Sequence, residues 1–234
     1  MSAAWLLAVN FIREQRLSLL VLLLWIGGFG VVFTFWRGED TDHFLVIFRQ
    51  QAAYGVLFTI FVSASALHME RKTRRIIAVL SKGITRTEYL LGYMLGCAFF
   101  SGIFVCALLA VNEWFGMQFE FRPNLVGILV AVWIASMVAA TIALMFACWL
   151  PPLVATPATL LAIAIPGVIG VSRPGLWEQA FPVSYVVRQV FTFDFRFGWI
   201  GGWWFAIAAV LQAAVFFVIA VAIFQAKDVA ATVE

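Results

Sequence analysis

Site chemistry needs a few residue types at short range, and this chain holds few of them. Its histidines are His43 and His68, and its cysteines are Cys97, Cys106 and Cys148. A serine hydrolase needs a histidine base at its nucleophile. Here His43 lies in the acidic stretch 39–43, and His68 ends an apolar run beside Glu70. A histidine next to a carboxylate at such a boundary reads as an interfacial residue rather than a proton relay. A zinc enzyme needs His-Glu-x-x-His or a comparable cluster, and that spacing does not occur. The cysteines lie inside apolar runs without Cys-x-x-Cys spacing and read as packing residues. Gly27-Gly28-Phe29-Gly30 is embedded in an apolar run with no lysine following it, so it reads as a site of helix packing or bending and not as a phosphate loop. The chain therefore reads as a non-enzyme with no catalytic residue, no metal site and no cofactor of its own.

Any functional residue must be positioned by helices in lipid. Of the 234 residues, 64% are hydrophobic and 12% charged, and the mean hydropathy is +1.01. Soluble domains carry about 45–50% apolar and about 25% charged residues. Too few charges remain to coat a water-facing surface, and a disordered chain needs the opposite bias. A polytopic membrane protein is the remaining class, and the 24 Phe and 10 Trp suit a lipid-facing surface with interfacial rings.

A membrane crossing takes about 20 mostly apolar residues. Charge-free runs place spans at residues 17–36, 46–69 (the charge-free run 50–69 extended back past Arg49), 89–112, 124–149, 153–171 and 198–224. The fourth and fifth come from one charge-free stretch, 123–172, split at Pro151-Pro152, where two prolines remove donors and clash with the preceding turn. Lipid leaves backbone groups unsatisfied outside helices and closed barrels, and these runs do not alternate with period two, so helices are expected. Residues 1–16 differ: Trp5, Leu6, Leu7, Val9, Phe11 and Ile12 precede the polar Arg13-Glu14-Gln15-Arg16, which suggests a helix lying along the interface. No removable signal peptide is expected, because the first apolar run ends at Trp36 without a small-residue cleavage pattern.

Basic residues set the orientation. Arg71, Lys72, Arg74, Arg75, Lys82 and Arg86 crowd the loop after the second span, with Arg13, Arg16 and Lys227 on the same side. The opposite side carries Arg37, Arg49, Arg122, Arg173, Arg188 and Arg196, dispersed among acidic residues over longer segments. The positive-inside rule puts both termini in the cytoplasm. Spans three to six hold no ionisable side chain in their interiors; Asn112 and Gln212 are the strongest polar groups near them. A solute moved uphill by this chain would need an outside source of energy.

The cytoplasmic loop 70–89 reads ERKTRRIIAVLSKGITRTEY. Its apolar group (Ile76, Ile77, Val79, Leu80) and its basic group predict a short helix parallel to the membrane. Ser81-Lys82-Gly83 would stop it, and Thr85 or Thr87 would cap the next helix. Glu70, the basic residues, Leu80-Ser81-Lys82-Gly83-Ile84-Thr85-Arg86 and Glu88-Tyr89-Leu90-Leu91-Gly92 together resemble the loop between spans two and three of ABC-2 type permeases, with Thr73-Arg74 where that family usually has Gly-Thr. Phe181-Pro182-Val183-Ser184-Tyr185 is similar to the Pro-x-x-Tyr segment before their last span.

The resemblance implies an all-α membrane protein forming a single domain, 1–234. It would have six transmembrane helices, an N-terminal interfacial helix, a cytoplasmic coupling helix at 70–88 and an external re-entrant segment at 173–196. It makes Glu70, Arg71, Arg74, Arg75, Leu80, Lys82 and Arg86 the residues that couple to a separate ABC ATPase, with a lesser contact at the turn 150–154, and puts Pro182 and Tyr185 in the re-entrant segment. Two ATPase copies, carrying ATP and Mg, would drive two permease copies, a homodimer in preference to a heterodimer. The solute path would run at the dimer interface along spans two and five. The expected function is export of a lipid-like, hydrophobic or amphipathic solute across the inner membrane by alternating access. Membrane lipid is an expected partner and nucleic acid is not. A haem-export or assembly-type six-span component without direct solute transport is the alternative.

Overall fold

The computed structural model describes residues 3–36, 41–73, 75–81, 83–116, 125–172 and 202–226. Long apolar runs without water must bond their backbones internally, and among the described residues every element is helical and no strand occurs. The helices are α1 (Ala3–Glu14), α2 (Arg16–Trp36), α3 (Thr41–Lys72), α4 (Arg75–Leu80), α5 (Arg86–Gly116), α6 (Leu125–Ala147), α7 (Pro152–Ser172) and α8 (Gly202–Ala226).

The breaks have local causes. Helix α4 stops at Gly83, whose φ of 80° is open to glycine and strained for other residues, and the Gly83 amide donates to the Leu80 carbonyl. Helix α5 opens on a capping box: the Glu88 amide donates to Thr85 Oγ1 at 3.2 Å, and the Thr85 amide donates to Glu88 Oε2 at 3.0 Å. The chain leaves α6 at Ala147 and re-enters a helix at Pro152, a first-turn position where a missing amide is harmless.

Among the described residues, four helical stretches are long and apolar enough to cross a membrane: Val46–Lys72, Arg86–Trp114, Val126–Ala147 and Ala206–Ala226. Ala3–Glu14 and Arg16–Val32 pass together as a pair bent by 59°, which makes five, and Pro152–Ile165 is a shorter apolar helix. This architecture is compatible with a multi-pass α-helical membrane protein. The segment 173–196, with Pro182 and Tyr185, lies outside the described residues.

Helix α6 is the centre of the bundle, packing on α3, α5, α7 and α8. Its buried Ala131, Ala135, Ala139, Ala143 and Ala147 recur at every fourth residue, a small-residue face that lets neighbouring backbones approach. Phe48, Phe100, Phe104 and Leu108 fill the space between α3 and α5. Six hydroxyls inside the bundle are satisfied within their own helices: Thr59, Ser63, Ser101, Ser136, Thr141 and Thr159 each donate to the carbonyl four residues earlier. Cys97 and Cys148 are buried, and Cys106 is exposed.

Helix α1 makes its main contact with α5. The contact forms because α5 has no side chain at Gly92 and Gly96. A Cβ on Gly92 would lie 2.6 Å from Leu7 Cβ and 3.0 Å from the Ala4 carbonyl oxygen, and one on Gly96 would lie 2.7 Å from the Phe11 ring. Phe11 then meets Tyr93 edge-on, with ring centroids 5.5 Å apart.

Candidate functional site

The charged residues of the elbow between α3 and α5 divide into an inward set and an outward set. Glu70 lies in the last turn of α3 with its side chain nearly buried. A buried carboxylate needs partners. Tyr89, buried at the start of α5, donates its hydroxyl to Glu70 Oε2 at 3.3 Å, and Arg75 Nη1 lies 3.6 Å from Glu70 Oε1. Arg75 is shared, since its Nη1 also pairs with Glu14 Oε1 on α1, and that same oxygen accepts from Asn10 Nδ2 at 2.8 Å. Glu14 first, then Glu70, hold the Arg75 guanidinium above its ordinary range, so it is a permanent cation. One arginine thereby joins α1, α3 and α4, and Glu70 extends the chain of contacts to α5.

Arg71 and Arg86 reach helix ends remote in sequence. Arg71 Nη2 donates to the Cys148 carbonyl at 2.7 Å, where α6 gives way to the turn before α7. Arg86 Nη1 donates to the carbonyls of Phe224 at 3.0 Å and Gln225 at 2.8 Å, in the last turn of α8. Helix C-termini present unpaired carbonyls and partial negative charge, so a guanidinium there serves as cap and counter-charge together. Both cations also stand over the Phe224 ring, at 5.9 and 6.0 Å from its centroid, and Tyr89 stacks on that ring at 6.0 Å and 10°.

The outward set is small. Ile76 is fully buried and Leu80 packs on the core, but Ile77 is 44% exposed, beside the half-exposed Arg75 side chain. Lys72 and His68 are also exposed. Arg74 and Lys82 lie outside the described residues.

Of the coupling residues read from sequence, Glu70, Arg71, Arg75, Leu80 and Arg86 gather at one end of the bundle. Glu70, Arg71 and Arg86 bond within the chain there. Sequence reading missed Glu14, Phe224 and the Gly92/Gly96 seat of α1. The seat had a local signal, since Gly92 and Gly96 stand four apart in an apolar helix, the spacing of close helix contacts. Glu14 and Phe224 had none, because their partners lie 61 and 138 residues away.

Helix α4 is tied through Arg75 to α1 and α3, Glu70 ties α3 to α5, and the flanking Arg71 and Arg86 hold the ends of α6 and α8. In comparisons with known proteins, the chain matches no family model and no curated relative.

Proposed function

We propose that this chain is the transmembrane permease subunit of an ATP-binding-cassette exporter of the ABC-2 type. In this reading both termini are cytoplasmic, six spans cross the inner membrane and the segment 173–196 re-enters from outside. Two copies of the chain each dock a separate ATPase through α4. ATP and Mg are handled by the ATPase, whose closure drives alternating access of the permease pair. A lipid-like, hydrophobic or amphipathic solute suits a mostly apolar bundle in which six interior hydroxyls are bonded to their own helices.

The observation that carries the reading is the fastening of the elbow. Glu70 and Arg71 at the end of α3 and Arg86 at the start of α5, which flank the loop, bond to α5, the end of α6 and the end of α8, while Ile77 is left exposed on α4. A loop that only joined two spans would need neither the ties nor an outward apolar residue. A device that receives force from outside needs both.

The test is affinity purification of the tagged chain from its native membrane, followed by an ATPase assay. The reading expects a stoichiometric ATP-hydrolysing partner. Ile77→Asp should lose that partner while keeping the detergent melting temperature, because Ile77 is outside the core. Purification of the chain without any ATP-hydrolysing subunit defeats the reading.

A further inference from the structure

Arg13 and Arg16 flank the bend between α1 and α2. Both are exposed, and among the described residues neither forms an ion pair, whereas nearby Arg75 is engaged by two carboxylates. The chain turns by 59° between the two helices, and the Gln15 amide donates to Phe11 and the Leu19 amide to Gln15 on either side of the turn. Arg13 and Arg16 stand only three residues apart across that turn, and Glu14 between them is paired with Arg75. The bend therefore carries two exposed guanidinium groups close together in the chain.

Both sides of that site are apolar and exposed. On α1, with about 3.6 residues per turn, Trp5, Leu6, Val9 and Arg13 share a face, roughly opposite the Ala4, Ala8 and Phe11 face seated on α5. On α2, Leu17, Leu20, Val21 and Leu24 continue the exposed apolar surface beyond the bend. The α1 stripe is thus continuous with the flank of an apolar helix, so the same medium covers both. A protein partner would have to follow a surface turned through 59°. A phospholipid does so without cost, as its headgroup and chains are flexibly joined.

We infer that the α1–α2 bend binds the headgroup of an anionic phospholipid. Arg13 and Arg16 engage its phosphate, and Trp5, Leu6, Val9 and Leu17 lie against its acyl chains. Net negative headgroups are preferred over zwitterionic ones, because the one carboxylate between the two cations, Glu14, is taken up by Arg75 and is not free to answer a choline. The inference rests on the chain being embedded in lipid and does not depend on the transport reading. The bound lipid also covers the outer face of α1, whose polar edge carries Glu14 and hence the tie to Arg75.

The test is native mass spectrometry of the full chain in detergent, titrated with phosphatidylglycerol or with phosphatidylcholine of the same chains. The wild type should retain the glycerol lipid preferentially. Arg13→Gln/Arg16→Gln should lower that retention about thirtyfold, at roughly one surface-charge interaction per arginine, and leave phosphatidylcholine unchanged. Arg13→Lys/Arg16→Lys should keep most of it, and Lys72→Gln, which removes an exposed cation elsewhere at the same end, should keep all of it. On the unmodified protein, raising salt from ~0.1 M to ~1 M should release the glycerol lipid selectively, which checks the site without any substitution. Equal retention of the two lipids by the wild type, unchanged retention by the glutamine double variant, or an equal loss in Lys72→Gln would each overturn the inference.

Discussion

Arg86 and Phe224 are joined across 138 residues of sequence: the first side chain of α5 donates to the Phe224 carbonyl near the end of α8, and its guanidinium stands 6.0 Å from the same residue's ring. Residue 224 therefore offers that cation both an acceptor and an aromatic face. Arg86→Ala should lower stability by about 1–2 kcal/mol, the worth of a charged hydrogen bond discounted for partial exposure. Arg86→Lys should recover part of this, because an ammonium reaches a carbonyl but does not present a planar fork. Hydrogen exchange gives the specific readout, as the last turn of α8 should lose protection before the rest of that helix. Uniform loss across the bundle would mean that Arg86 does not act as the cap of α8.

The Glu14–Arg75–Glu70 chain predicts an asymmetry. Glu14 is partly exposed and keeps water when its partner goes, so Glu14→Ala should cost under about 1 kcal/mol. Glu70 has 7% of its side chain exposed and depends on Arg75 and Tyr89. Arg75→Ala leaves that carboxylate with the Tyr89 hydroxyl but no cation, so its cost should lie between the surface value and the ~3 kcal/mol of a broken buried pair. Glu70→Gln should be milder than Glu70→Ala, because the amide oxygen still accepts from Tyr89. Detergent melting curves of the four variants decide the order, and a Glu14→Ala penalty equal to that of Arg75→Ala would contradict it.

Deep in the helices, Asn112 Nδ2 donates to Gln51 Oε1 at 3.1 Å and to the Leu108 carbonyl at 2.7 Å, and Gln51 Nε2 reaches the Ile26 carbonyl at 3.4 Å. The pair joins α5, α3 and α2 in a setting where an unpaired amide has no water to turn to. Asn112→Leu or Gln51→Leu alone should cost about 1–2 kcal/mol, and the double variant should cost less than their sum, with a coupling of roughly 0.6 kcal/mol or more. Strict additivity in the double-mutant cycle would place the two amides out of contact.

Helices were legible in the sequence wherever the signal was local. Charge-free runs marked apolar helices, Pro151-Pro152 marked the break before α7, and Thr85 with Gly83 marked the edges of the elbow. The direction of the elbow charges was not legible. Arg71 and Arg75 are close neighbours in a basic cluster, yet one turns to the end of α6 while the other pairs with α1. Pattern reports that a cation is present; its acceptor is a carbonyl whose position depends on how distant helices pack. The second span, expected at 46–69, belongs to a helix that runs on to Lys72, and this extension is what carries Glu70 and Arg71 into the bundle end. The interfacial reading of residues 1–16 gave no sign of the seat on α5, since that seat consists of missing side chains.

That seat supports the most discriminating prediction. At Gly92 a new Cβ meets Leu7 Cβ and the Ala4 carbonyl, both fixed parts of α1, so α1 must lift as a whole. At Gly96 it meets the Phe11 side chain, which has some freedom to turn. At Gly27 on α2 nothing lies within 4 Å. Overpacking costs about 1–3 kcal/mol, whereas alanine for glycine in an open helical position gains up to about 1 kcal/mol. Melting temperatures should therefore fall most for Gly92→Ala, less for Gly96→Ala, and hold or rise for Gly27→Ala. Adding Phe11→Ala should relieve Gly96→Ala, because removal of the ring makes room for the methyl, and should do nothing for Gly92→Ala. If Gly92→Ala melts like Gly27→Ala, α1 is not seated on α5, and the Glu14–Arg75 tie that depends on that seat goes with it.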